Sequence, residues 1–152
     1  QERTIYFGPN LQFRLGAGFL NIGLQLRKEW NHNGNLGVNE SYDVDFNVEP
    51  VWHFPFRMGS AQLALDGYAA YNTAKGKDGA GHQTRPEFIA RPQLKLDVSS
   101  LLGANSRIVE IGVGFEYWHN MFGKDAGLVP GAKQFTPVFS IAAHLPLGSA
   151  GH

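Results

Sequence analysis

The feature that most limits what this chain can become is a two-residue alternation kept up over long segments, greasy on one side and charged on the other. In an extended strand successive side chains point to opposite faces, so each segment reads as a β-strand with unlike sides. The run at 107–118 shows it best. Val109, Ile111, Val113, Phe115 and Tyr117 share one side; Glu110, Gly112, Gly114 and Glu116 share the other. At 19–30, Leu20, Ile22, Leu24 and Leu26 oppose Asn21, Gly23, Gln25, Arg27 and Glu29. At 42–58, Tyr42, Val44, Phe46, Val48, Trp52, Phe54 and Phe56 oppose Asp43, Asp45, Asn47, Glu49, His53 and Arg57. At 87–98, Phe88, Ala90, Leu94, Leu96 and Val98 oppose Arg91, Gln93, Lys95 and Asp97. With 4–15, 61–72 and 134–146 these make seven expected strands, and helical spacing is hard to find. The fold class is therefore all-β and antiparallel.

The connections alternate in length. Gly16-Ala17-Gly18 and Gly59-Ser60 read as tight hairpin turns, and Ser99–Ser106 as an intermediate link on the same side. Asn31–Ser41, Thr73–Thr84 and His119–Lys133 are long, polar and rich in Gly, Asn, Asp and Lys. Short turns at one rim and long loops at the other are the layout of outer-membrane barrels.

Alternation alone does not say which side faces outward. A soluble calycin-like barrel puts the apolar side around a ligand, and a membrane barrel inverts this. Three features favour inversion. The strands run roughly 12 to 17 residues, against about 9–11 needed to cross a bilayer. Aromatics gather near expected strand ends, at Trp30, Tyr42, Trp52, Phe54, Phe56, Tyr71, Tyr117 and Trp118, as in an interfacial girdle. The polar side mixes Gly and Ala with both signs of charge, which suits a confined lumen. The expectation is a transmembrane β-barrel segment over 1–147, located in the cell outer membrane, with 148–152 a tail or cloning scar. No apolar run approaches the ~20 residues of a membrane helix. With long loops outside, the first strand starts at the outer rim and the seventh ends at the periplasm. An even-stranded barrel then requires an odd number of further strands, from a second chain or from a strand not recognised.

Tyr117-Trp118-His119-Asn120-Met121-Phe122-Gly123, with Phe7-Gly8-Pro9, Pro50-Val51-Trp52 leading to Phe56, and Leu65-Asp66-Gly67-Tyr68 in the same order, resembles the C-terminal portion of the nucleoside-specific outer-membrane channel family (Tsx and OmpK-like proteins). The resemblance covers most of the chain. It implies a larger, twelve-stranded barrel that passes nucleosides or other small solutes, with five strands beyond the seven read here. Two features depart from the family: its N-terminal strands are missing, and the last strand ends in Leu145-Pro146-Leu147 in place of a terminal aromatic.

Thirteen Lys+Arg balance thirteen Asp+Glu, so no net field draws a nucleic-acid polymer. With no cysteine, thiolate metal sites and cysteine nucleophiles are excluded. The inward charges are Glu29, Asp43, Asp45, Glu49, Asp66, Asp97, Glu110, Glu116, Arg14, Arg27, Arg57, Arg91 and Lys95. Most are expected to be structural ion pairs, because a buried charge without a partner is costly. Tyr6, Tyr68 and Trp118 project inward in the outer half, where flat rings beside charged groups can stack a base and bond a ribose. The candidate solute-binding residues are Asp66, Tyr68, Arg91, Glu110, Glu116 and Trp118, against the plainer reading that the rings fill space. The six histidines show no metal-ligand spacing, and Ser140 lies ~13 Å from His144 along a strand, too far for a nucleophile–base bond. No catalytic residue, metal or cofactor is expected. The partners are a bilayer or detergent and a small hydrophilic solute. The alternatives are a plugged structural or engineered barrel without transport, and a soluble calycin-like binder.

Overall fold

The computed structural model describes residues 2–33, 38–101 and 109–143. Its strands are β1 (Glu2–Phe7), β2 (Asn10–Leu15), β3 (Gly18–Asn33), β4 (Val38–Ser41), β5 (Asp45–Met58), β6 (Ala61–Asn72), β7 (Glu87–Asp97), β8 (Val109–His119) and β9 (Lys133–Ala143). One helical turn, α1 (Val98–Leu101), and a 3-10 turn at Met121–Gly123 interrupt them. All nine strands belong to one antiparallel sheet, with β1, β3, β5, β6, β7, β8 and β9 in order and β2 and β4 also paired to β3. Among the described residues the sheet is not closed, and β1 and β9 are its two ends.

Nine strands make seven passes across the sheet. β1 and β2 keep one register on β3, Phe7 opposite Leu26 and Asn10 opposite Gly23, so the gap at Gly8-Pro9 is only a local break. Proline has no N–H to give the ladder. β4 and β5 do not keep register. Trp30 faces Ser41 and Arg27 faces Asp45, which leaves Tyr42, Asp43 and Val44 against Lys28 and Glu29. Three residues against two is a β-bulge, and a bulge reverses which face the next side chain takes. It corrects the expected alternation at one place: Tyr42 is buried and Asp43 exposed, the opposite of the phase set by Asp45 and Asn47. The expected loop at Asn31–Ser41 is also shorter than read, since β3 continues to Asn33 and β4 resumes at Val38. Trp52 sits mid-way along β5, away from any girdle position. Residues 107–108 and 144–146 of the expected strands, together with His144 and the tail at 148–152, lie outside the described residues.

At one rim Leu15 pairs with Gly18 and Met58 with Ala61, each across a two-residue turn. Gly16 and Gly59 take the first turn position at φ +61 and +62, a left-handed conformation that a side chain disfavours. The other rim carries the loops.

Burial is inside out. Ile111, Val113 and Phe115 are 43, 52 and 38 % exposed, while Glu110, between the same two neighbours, is 7 % exposed. The buried hydrophobic residues among those described are Tyr42, Leu63, Ala64, Ala70 and Ala132; the buried polar ones include Arg27, Glu29, Asp45, Asn47, Asn72, Lys75, Glu87, Asp97 and Glu110. The total accessible surface is 10063 Å², against about 7600 Å² for a compact monomer of this mass. The molecule is a curled single layer, its ionic side within the curve and its apolar side outward. Among the described residues no helix is long and apolar enough to cross a membrane, which leaves strand crossings untouched.

Candidate functional site

Because the register is regular, the inward side chains fall into rows that cross the sheet. Nearest the turn rim, Arg57, Gln62, Asp97 and Glu110 lie in line. The row of Ala64, Lys95, Gly112 and Ser140 follows, then His53, Asp66, Gln93 and Gly114, then Tyr68, Arg91 and Glu116. Asn47, Asn72 and Glu87 form the row nearest the loops.

The rows are bound to one another by charge. Asp66 accepts from His53 Nδ1 at 2.5 Å and from Lys95 Nζ at 2.7 Å. Ser140 Oγ donates to Gln93 Oε1 at 3.1 Å. Arg91 lies 3.8 Å from Glu116. Gly112 and Gly114 leave the space these side chains use: a Cβ at Gly112 would stand 2.4 Å from Ser140 Oγ. Asp66, Tyr68 and Arg91, with Gln93 and Lys95, line a shallow hollow of 270 Å³.

A larger cavity of 650 Å³ opens toward the loop rim, lined from β1 to β8 by Tyr6, Arg27, Glu29, Asn47, Glu49, Tyr68, Asn72, Lys75, Glu87 and Trp118 among others. Arg27 makes a forked contact with Asp45, Nη2 at 2.6 Å and Nε at 3.0 Å, the geometry that makes guanidinium–carboxylate pairs strong. Lys75 comes from the loop between β6 and β7, turns back into the curve and donates to Glu29 at 2.6 Å, its ammonium 4.1 Å from the centre of the Tyr42 ring. Glu87 accepts from Trp118 Nε1 at 2.7 Å, from the Phe122 N–H at 2.8 Å and from Asn72 Nδ2 at 3.4 Å. Asn72 Oδ1 in turn accepts from Asn47 Nδ2 at 2.7 Å.

Above the cavity the loops hold one another. Lys124 reaches Asp78 at 3.2 Å, Arg85 reaches Asp125 at 3.0 Å, and Asn120 Nδ2 donates to the Pro86 carbonyl. Desolvation raises the pKa of the Asp78 carboxyl, but the His82 N–H, Lys124 and the Ala80 N–H outweigh it and hold it below the usual range. Asp125 is held low first by the Gly127 N–H, against slight desolvation, and then by Arg85.

Comparison with protein-family models, curated proteins and solved structures found no match. Nothing outside the chain's own geometry ranks its residues.

Of the six candidate residues, Tyr68 and Trp118 line the larger cavity, as does Tyr6. Asp66 and Arg91 join Tyr68 at the smaller hollow, and Glu116 stands beside Arg91. Glu110 is apart, beside Asp97 at the turn rim, eight residues and about 26 Å along β8 from Trp118. Arg14 and Arg57, counted among the inward charges, are exposed at that same rim. Sequence reasoning passed over Asn72, Lys75 and Glu87. Glu87 shares its face with Arg91 and was legible by parity; Lys75 lies in a loop, where alternation carries no information. Among the described residues no group of three or more His, Asp or Glu could hold a metal.

Proposed function

We propose that the chain is a wall segment of an outer-membrane β-barrel that lets small hydrophilic solutes diffuse passively, with nucleosides the class implied by the family resemblance. The observation that carries this reading is the inverted burial on β3 and β5–β9, which are 11 to 16 residues long. Such lengths suffice to cross a bilayer, and an apolar exterior is stable in lipid and unfavourable in water. β1 and β9 point the same way, so joining them directly would make a parallel seam. An antiparallel closure takes an odd number of added strands from this protein or a second chain, which fits a twelve-stranded barrel.

A soluble calycin-like binder requires an apolar interior, and the inner rows here are ionic, which counts against it. The plugged barrel has a specific observation in its favour: Lys75 projects into the curve and is anchored on Glu29. Conductance separates the two. Folded into detergent and added to a planar bilayer, the protein is expected to need detergent for solubility, to shift on an unheated gel, and to give stepwise current. Solubility without detergent would overturn the membrane reading. Detergent dependence with no current in the wild type, and current in Lys75→Ala, would assign the plug.

A further inference from the structure

We propose that the 650 Å³ cavity is a site for a small organic cation that carries N–H donors, an alkylammonium or guanidinium group. The proposal rests on reading this cavity as part of the solute path and names the solute class it favours.

The first observation is charge. Arg27 and Lys75 are the cations of the cavity; its carboxylates are Glu29, Glu49 and Glu87, with Asp45 directly behind Arg27. Two cations against four carboxylates leave a net of two negative charges. Both cations are already engaged, Arg27 by Asp45 and Lys75 by Glu29. Glu87 meets only uncharged donors, and Glu49 has no ion pair among the described residues. Glu87 is 7 % exposed, and a buried carboxylate attracts a cation more strongly than one at an open surface.

The second observation is independent of that sum. A carboxylate can only accept, so Glu87 orients the amide of Asn72 with its NH2 toward Glu87 and its oxygen toward Asn47. Asn47 must then give its own NH2 to Asn72. Its oxygen is left over: Asn47 is 2 % exposed, and Oδ1 has no hydrogen-bond partner. Buried acceptors are rarely left unmet, and this one costs about 1–3 kcal/mol unless a donor arrives from outside the protein. The amide relay across β5, β6 and β7 thus ends on a buried acceptor of Asn47, a residue of the same cavity lining as Glu49 and Glu87. The Asn47 oxygen, Glu49 and Glu87 are all acceptors, and together they call for a ligand rich in N–H. Tyr68 and Trp118 add ring faces suited to the alkyl or guanidinium portion.

The test is titration of the detergent-folded protein with propylammonium and, separately, with propionate at equal ionic strength, followed by tryptophan fluorescence and calorimetry. Propylammonium is expected to bind and to perturb Trp118, an effect lost in Trp118→Phe, while propionate is not. Glu49→Gln is expected to weaken binding roughly tenfold, the worth of one charge-assisted contact, and Glu87→Gln by at least as much. Glu49 takes no part in the relay, so Glu49→Gln decides the matter if Glu87→Gln does not fold. Binding of propionate as tight as that of propylammonium, or binding of neither, overturns the proposal. Bilayer recordings keep the two readings apart. Propylammonium binding without conductance removes the channel and leaves the cation site, whereas conductance without propylammonium binding removes the site and leaves the channel.

Discussion

Arg27 and Asp45 face each other across β3 and β5 with almost no solvent around either, and such a pair is most exposed to the loss of one member. Asp45→Ala leaves a guanidinium buried without its carboxylate and is expected to cost about 3 kcal/mol or more, read by urea unfolding of vesicle-refolded protein. Arg27→Met with Asp45→Leu removes both charges and is expected to recover most of that loss. Both residues were legible in the sequence, because each falls on the charged side of a long alternating run. Lys75 was not. Its burial depends on a loop folding back 46 residues to Glu29, and nothing in the local spacing of Ala74-Lys75-Gly76 encodes that return. Asn47 was legible as inward-facing, but its unmatched oxygen follows only from the chain of acceptors that begins at Glu87.

Strands pack by register, and the glycines show where two backbones have no room between them. A Cβ on Gly114 would fall 2.2 Å from the Pro92 carbonyl oxygen, whereas one on Gly23 would meet nothing closer than the Gln25 side chain at 3.5 Å. Gly114→Ala is expected to force β7 and β8 apart at a cost of about 1–3 kcal/mol, and Gly23→Ala to change stability little. Unfolding midpoints of the two variants check the contrast. The loops carry a pH dependence of definite sign. Asp78 and Asp125 are held below the ordinary carboxylate pKa of about 3.9, so their contribution to the loop clasp is present above that value and lost as pH falls through the lower, folded pKa. Amide signals of Ala80, His82 and Gly127, followed by NMR down to about pH 2, are expected to hold through pH 4 and shift only below it. A shift centred near pH 4 or above would contradict the clasp. At this scale the seven passes were read correctly from alternation, since a period of two survives changes in residue type. The bulge at Tyr42–Val44 was missed because Tyr42, Asp43 and Val44 alternate apolar and charged as any strand does, whether they oppose two partners or three.

As a whole, the molecule has exchanged the usual places of oil and charge. This inversion was foreshadowed by strands longer than a soluble sheet requires and by an ionic side too crowded for ordinary surface. Among the described residues the sheet stays open at β1 and β9, and alternation along a strand carries no information about what would pair with a free edge. A thermal consequence follows from having five buried hydrophobic residues among those described and a broad apolar exterior. The heat-capacity step that accompanies unfolding comes from apolar groups newly wetted, while wetted polar groups subtract from it. A water-soluble chain of this length would show a step of about 2 kcal/mol/K. Here the apolar groups already face outward, and if they stay in lipid or detergent as the rows of charge come apart, mostly polar surface meets water. Calorimetry should then find a baseline that rises little or even drops across the transition, and a stability that declines almost linearly with temperature, without the low-temperature turnover of soluble proteins.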